Sequence, residues 1–273
     1  MLIAQLTDLH IKPPGRLAYG VVDTKAYLAA AVADLVARKP APDAVLLTGD
    51  LVDAGRPEEY AELRALLAPI PCPVYVIPGN HDDRAALRAG FADHAYLPTG
   101  DGFIHYAIED HPVRLIGLDT TDPGEAGGTL CAERLAWLAA QLARAPDRPT
   151  ILFLHHPPFP TGIAHMDKIG LADPAPFAAL IARHAQVERV LAGHLHRSIQ
   201  ARFAGTLAST APATCHQVAL ELEPEAPAAF YMEPPGYQLH LYVPGTGVVS
   251  HTVAVGHYPG PYPFRDVSGA LIA

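Results

Sequence analysis

The distribution of apolar residues divides the chain near residue 213. From Leu2 to about Ala192, short apolar runs alternate with stretches of helical period. The runs Leu2–Leu6, Ala44–Thr48, Val74–Ile77, Val113–Leu118, Thr150–Leu154 and Arg189–Ala192 are mostly apolar on both faces, the pattern of strands covered from two sides. Between them, Leu28, Val32, Leu35 and Val36 recur at i, i+4, i+7 and i+8 and mark one helix. Leu63, Leu66 and Leu67 mark a second, and Leu135, Leu138 and Leu142 a third. These stripes are core-facing surfaces, and strand and helix in alternation predict a layered α/β domain.

After about Ala213 the character changes. Pro, Glu and Ala dominate from Glu221 to Pro235, and two strand-like runs, Gln238–Val243 and Val248–Val255, flank Pro244–Gly245–Thr246–Gly247, which predicts a β-hairpin. The expectation is a catalytic domain over 1–217 and a C-terminal cap or extension over 218–273. The tail, with Pro259, Pro261 and Pro263 among aromatics, is expected to run extended over the surface or a partner. There is no internal repeat of fixed period and no low-complexity tract.

Composition narrows the function classes. Half of the 273 residues are apolar and 17% are charged, which is a globular profile with length for one large domain. The net charge of −9 and the lack of a Lys/Arg cluster leave no footprint for a nucleic-acid duplex. No 18-residue apolar run and no basic, apolar leader occur, so the expected location is cytoplasmic, with no membrane partner. Cys72, Cys131 and Cys215 are too few and too far apart for a disulfide framework or a thiolate zinc site, and are expected to be small buried thiols.

The informative excess is in His, 15 beside 19 Lys and Arg. Five of the expected strands are followed at once by groups able to bind a metal: Asp8 and His10, then Asp50, then Asn80 and His81, then His155 and His156, then His194 and His196. Singly, each has an ordinary explanation as a turn-capping Asp, a left-handed Asn or a solvated loop imidazole. Together they point to one cleft, because strand ends in layered α/β folds converge along one edge of the sheet. Carboxylate, imidazole and amide donors without thiolate suit Fe, Mn, Zn or Co, and they exceed the four that one tetrahedral ion takes. Two ions are implied, with Asp50, midway in the order of motifs, as the bridging carboxylate.

Asp8–Leu9–His10, Gly49–Asp50, Gly79–Asn80–His81–Asp82, His155–His156–Pro157–Pro158 and Gly193–His194–Leu195–His196 resemble, in order and spacing, the signature of the calcineurin-like metallophosphoesterases. More narrowly the chain resembles the class III cyclic nucleotide phosphodiesterases and the bacterial glycerophosphodiesterases of that superfamily. Supporting stretches are Gly55–Arg56–Pro57–Glu58–Glu59–Tyr60, Ile77 to Asp83, Gly162–Ile163–Ala164–His165–Met166–Asp167 and Thr214–Cys215–His216–Gln217–Val218. The resemblance implies a four-layer α-β-β-α sandwich. It also implies one ion on Asp8, His10 and His196, another on Asn80, His155 and His194, and Asp50 between them. His156 is implied as a supporting residue, His81 as a histidine over the site and His216 as one lining the substrate pocket. The C-terminal extension is implied to dimerise and to shape the pocket. Two residues depart from the usual pattern, Leu9 and Leu195, each where a polar residue is common.

The activity expected is hydrolysis of small phosphodiesters by a metal-bound hydroxide, with His81 as a possible acid to the leaving oxygen. Four other activities stand beside it: a phosphomonoesterase or pyrophosphatase, a nuclease, a protein phosphatase, or a non-catalytic scaffold on the same fold. Arg84 and Arg197 are the only guanidiniums beside the motifs, and both read as solvated surface groups.

Overall fold

The structure is a computed structural model that describes residues 1–272. In chain order its elements are β1 (Leu2–Leu6), α1 (Thr24–Ala37), β2 (Ala44–Thr48), α2 (Pro57–Leu67), β3 (Val74–Ile77), α3 (Arg84–Gly90), β4 (Tyr106–Ile108), β5 (Arg114–Gly117), α4 (Ala132–Ala143) and β6 (Thr150–Phe153). There follow α5 (Ala164–Asp167), α6 (Ala175–Ile181), β7 (Val187–Ala192), β8 (Ile199–Phe203), β9 (Thr206–Thr210), β10 (Gln217–Val218), β11 (Phe230–Tyr231), β12 (Gly236–Val243) and β13 (Gly247–Ala254). All six strands expected from apolar runs form, within two residues at their ends. Strands β4 and β8 to β11, two to five residues each, are too short or too mixed in polarity to be read from periodicity.

Two mixed sheets stack face to face. The first has the order β13-β12-β1-β2-β3 and the second β4-β5-β6-β7-β9-β8. One apolar cluster joins them, with Ile3, Leu46 and Val76 of the first sheet packed with Leu115, Phe153 and Leu191 of the second. The same cluster takes in Leu28 and Leu35 of α1, Leu63 of α2 and Leu87 of α3. On the far side, Leu138 of α4 and Phe177 and Leu180 of α6 pack on Ile116, Leu152 and Val190. Helices therefore cover both outer faces, as in the four-layer sandwich. Leu9 is fully buried in the first cluster, which explains an apolar residue at that position.

The hairpin expected at the C-terminus forms, but it does not stand apart. β12 pairs antiparallel with β1, Leu2 opposite Leu241 and Gln5 opposite Gln238, so the hairpin completes the first sheet. The expected boundary after residue 217 therefore does not separate two packing units. A two-stranded hairpin is marginal in water, and pairing with β1 supplies the third strand it needs. The expectation for the thiols needs correction as well: only Cys215 is buried, Cys72 is half-buried, and Cys131 is exposed at the position just before α4. Among the described residues no helix is long and apolar enough to cross a membrane.

Candidate metal centre

The parallel strands β1, β2, β3, β6 and β7 end on one edge, and each hands the chain to a turn that carries a motif. The turns are unusual in conformation. Of the eight described non-glycine residues with positive φ, five are Asp8, His10, Asp50, His194 and His196. Such backbone costs roughly 1–3 kcal/mol per residue and is held only where surrounding contacts over-determine it. Here the contacts are backbone hydrogen bonds between turns, from Asp8 N–H to Gly49 O at 3.1 Å and from His10 N–H to Asp50 O at 3.0 Å. Asn80, for which a left-handed turn was the ordinary explanation, does not adopt one.

The side chains form two halves. In one, Nε2 of His10 faces Nε2 of His196 at 3.2 Å, and His196 Nε2 lies 3.5 Å from Asp8 Oδ1. In the other, Nε2 of His155 faces Nδ1 of His194 at 3.2 Å and Oδ1 of Asn80 at 3.1 Å. Asp50 stands between them, its Oδ2 3.7 Å from His10 and its Oδ1 3.4 Å from His155. All seven expected ligands thus meet in one place, and all but the half-buried Asn80 are buried.

Whether this donor set suits metal ions turns on its lone pairs. Nδ1 of His155 donates to the Thr48 carbonyl at 2.8 Å, and Nδ1 of His196 to the His216 carbonyl at 3.1 Å. A carbonyl only accepts, so in the neutral ring each proton sits on Nδ1 and each Nε2 turns a lone pair into the cluster. Burial, reinforced by nearby imidazoles, holds His196 down to about 3 and His194 well below its usual range, keeping both rings in the neutral form that ligation requires. The buried Nε2 of His194 has no hydrogen-bond partner among the described residues. Asp8 is pushed up to about 6 by burial, partly offset by His155. Burial disfavours the cationic form of His155, but the Asp50 carboxylate, with Asp8 and the Thr48 carbonyl, outweighs it and raises the ring to about 9, in a field that favours positive charge and in which a metal ion would displace the Nε2 proton. Converging lone pairs, carboxylates without an Arg or Lys among them and an orphaned ring nitrogen all fit a cation centre.

The remaining histidines are placed differently. His156 uses both ring nitrogens within the protein, Nδ1 with Thr120 Oγ at 2.8 Å and Nε2 with the Ala126 carbonyl at 3.1 Å. His81 has its amide donating to Asp50 Oδ1 at 2.9 Å and its Nδ1 donating to the Asp53 carbonyl at 2.8 Å, and its ring meets His10 edge-on at 4.7 Å. His216 packs between His196, at 4.5 Å, and Phe230, at 5.0 Å. A cleft of about 450 Å³ opens beside the cluster, with His81 and His216 in its wall beside Tyr19, Met166, Val218 and Phe230.

Several supporting residues were not anticipated. Asp53 faces His10 Nδ1 at 3.7 Å and offers its carbonyl to His81. Its only signal was a place three residues beyond Asp50. Thr120 and Asp119 follow β5, a sixth strand end that carries no imidazole and so drew no notice. Asp82 accepts from the backbone of Leu51, Val52 and Gly79 and from Tyr60 Oη, stitching the turns after β2 and β3 together. The arginines beside the motifs are not solvated. Arg84 donates to both oxygens of the buried Asp119, at 2.6 and 3.0 Å, and Arg197 donates to Glu233 at 2.6 Å and to the Val218 carbonyl at 2.7 Å.

Paired sheets with a histidine and carboxylate cluster at their common edge define a metallophosphoesterase, and the chain belongs to the calcineurin-like phosphoesterase family, whose model matches residues 1–198. Over 273 residues it is 40% identical to the probable glycerophosphodiester phosphodiesterase GpdQ of Arcobacter nitrofigilis, covering 100% of both chains. It is 38% identical over 220 residues to the cAMP/cGMP dual specificity phosphodiesterase of Mycobacterium tuberculosis, covering 79% of this chain and 68% of that one. A dimetal phosphatase from Danio rerio shares the fold, with a TM-score of 0.65 over 94% of this chain and 99% of that one at 16% identity.

Proposed function

We propose that this protein is a dinuclear metal-dependent phosphodiesterase that hydrolyses small phosphodiesters. The position of Asp50 carries the reading, since its two oxygens face imidazoles of different halves of the cluster. Asp8, His10 and His196 would hold one ion, Asn80, His155 and His194 the other, and Asp50 both. Their donor types suit Fe, Mn, Zn or Co. When bound, such a pair activates water at neutral pH and neutralises the phosphoryl oxygens.

The protein's own groups do the rest. His155 and His196 are oriented by the carbonyls that take their Nδ1 protons, and His156, engaged on both nitrogens, supports the loop after β5 rather than ligating. His81 is fixed through Asp53 and Asp50, so that in its imidazolium form the Nε2–H would serve the leaving oxygen, and His216 would flank the substrate. Arg84 and Arg197 are engaged by Asp119 and Glu233, so neither guanidinium is free for the extra charge of a monoester dianion, which favours the diester. Candidate substrates are of the two kinds named for the relatives, glycerophosphodiesters and cyclic nucleotides.

We further propose that the tail makes a contact between copies of the chain. Tyr258, Tyr262, Phe264, Val267, Leu271 and Ile272 are all exposed within fifteen positions, an apolar surface that a second copy would cover.

The test is steady-state hydrolysis by metal-reconstituted protein, with bis(p-nitrophenyl) phosphate compared with its monoester and cyclic AMP with glycerophosphoethanolamine. Strong diester turnover that Asp50→Ala abolishes is the expected result. No turnover with any of the four metals would overturn the reading and leave a scaffold.

A further inference from the structure

The stretch Gly162–Asp167 has no part in the metal centre, yet it is built with care. Asp167 accepts from the Thr161 amide and hydroxyl, both at 2.7 Å, and from the Gly162 amide at 2.9 Å, so the single turn of α5 is tied to its own approach. Met166 then packs with Ile163, Leu195 and Val218, and Ile169 and Ile199 close the group. Leu195 lies between His194 and His196, in the ligand turn itself. It is 1% exposed, so the apolar residue in place of the usual polar one docks α5 directly on that turn. A rigid contact therefore fixes α5 relative to the proposed metal ligands.

What α5 presents from that position is His165. It lines the cleft, is half-buried and has no side-chain hydrogen bond to any described residue. Around it the wall is apolar: Met166, Ile169, Val218, Ala229 and Phe230. The cleft thus has a polar floor, where the phosphoryl group of the proposed substrate would sit, and a mostly apolar flank whose polar groups are His165 of α5 and, beside Phe230, His216 and Tyr19.

We infer that His165 is a specificity-determining residue, contacting the ester arm of the substrate that lies on this flank, and that the arm preferred there is a flat heteroaromatic group over a polyol. The inference rests on the diesterase reading and deepens it. A heteroaromatic arm buries its faces against Met166, Ile169 and Phe230 and offers an in-plane acceptor or donor to His165, the imidazole that α5 presents. A glycerol arm brings several hydroxyls to a wall with few polar groups, and a hydroxyl that exchanges water for an apolar wall loses a hydrogen bond it had. His165 is not among the proposed metal ligands, so its effect falls on binding of the arm.

Competitive inhibition of bis(p-nitrophenyl) phosphate turnover separates arm from phosphate. Inorganic phosphate has no arm, adenosine 5′-monophosphate has a heteroaromatic one and glycerol 3-phosphate a polyol. The metal-reconstituted wild-type protein is expected to bind adenosine monophosphate more tightly than glycerol 3-phosphate. In His165→Ala, the inhibition constant for adenosine monophosphate divided by that for phosphate should rise about tenfold, the size of one hydrogen bond with its share of packing. The same ratio for glycerol 3-phosphate should change less than about twofold. His165→Gln, which keeps a hydrogen-bonding group, should retain most of the preference. Unchanged ratios in His165→Ala, an equal rise for both arms, or the same loss in Gln as in Ala would overturn the assignment. Failure of the wild type to turn over any diester would instead strike at the diesterase reading.

Discussion

The backbone amide of His194 donates to both carboxylate oxygens of Asp8, at 3.1 and 3.0 Å, across 186 residues of chain. Asp8 thereby has two tasks: it offers an oxygen to the His10 and His196 half of the cluster, and it clamps the turn after β7 to the turn after β1. Asp8→Asn separates them, because the amide keeps one acceptor for the His194 N–H and loses the charge. The variant should fold with near-normal stability and lose metal affinity by at least about 100-fold. Metal content after dialysis, read beside the unfolding midpoint, checks both halves of the expectation.

Gly79 lies so close to Asp50 that a Cβ there would collide with Asp50 Oδ1 and its backbone nitrogen. Gly79→Ala should displace the carboxylate proposed to serve both ions, lowering bound metal from two to one or fewer per chain. Retention of two ions with full diester turnover would show that Asp50 can relocate without loss.

His81 is anchored on one side only, which leaves Nε2 for the substrate. If it protonates the leaving oxygen, His81→Ala should cost about 10²–10⁴-fold for an alkyl ester, whose alkoxide leaves poorly, and much less for an aryl ester. Equal losses for the two leaving groups would show that it positions substrate and transfers no proton.

Asp119 is fully buried, which alone would raise its carboxyl, but the Arg84 guanidinium together with the Ile104 amide and Thr121 outweighs burial and holds it below the ordinary 3.8. With its folded pKa depressed, Asp119 contributes stability that is present above about pH 4 and lost as pH falls through the folded value. Arg84→Met removes the largest of these opposing contributions, so the pKa rises and the stability that Asp119 contributes above about pH 4 shrinks. The stability difference between the two proteins should therefore grow from about pH 4 to pH 7, reaching about 3–5 kcal/mol. Urea unfolding across that range measures it. The ligand cluster titrates in both proteins and cancels in the difference, and a gap independent of pH would contradict the pairing.

A chain ending at Gly256 keeps the hairpin, which is held by β1, and loses the exposed apolar tail. It should remain folded and sediment as a monomer where the full chain sediments as a dimer or larger. A full-length chain that is already monomeric at micromolar concentration would overturn the proposed contact.

The strands, the first helices and the ligand-bearing turns were legible because each is a local matter. A run such as Ala44–Thr48 must be covered on both faces whatever covers it, and a turn such as Gly49–Asp50 takes its chemistry from its own residues. The cluster was legible for the same reason, since parallel strands bring their ends to one edge in any layered α/β arrangement. What the local pattern does not specify is which groups meet across the fold. That β12 pairs with β1 and makes the last hairpin part of the first sheet is settled by the unpaired edge of β1, which no residue near Gln238 reveals. That Asp53, Thr120, Asp119 and Leu195 stand behind the candidate ligands and the cleft depends on contacts between segments tens of residues apart in the chain. Lone-pair direction at His155 and His196 is likewise set by carbonyls of other segments, Thr48 and His216. Propensity and periodicity act over a few residues, whereas packing and hydrogen bonding among distant segments exist only once the two sheets have closed on one another.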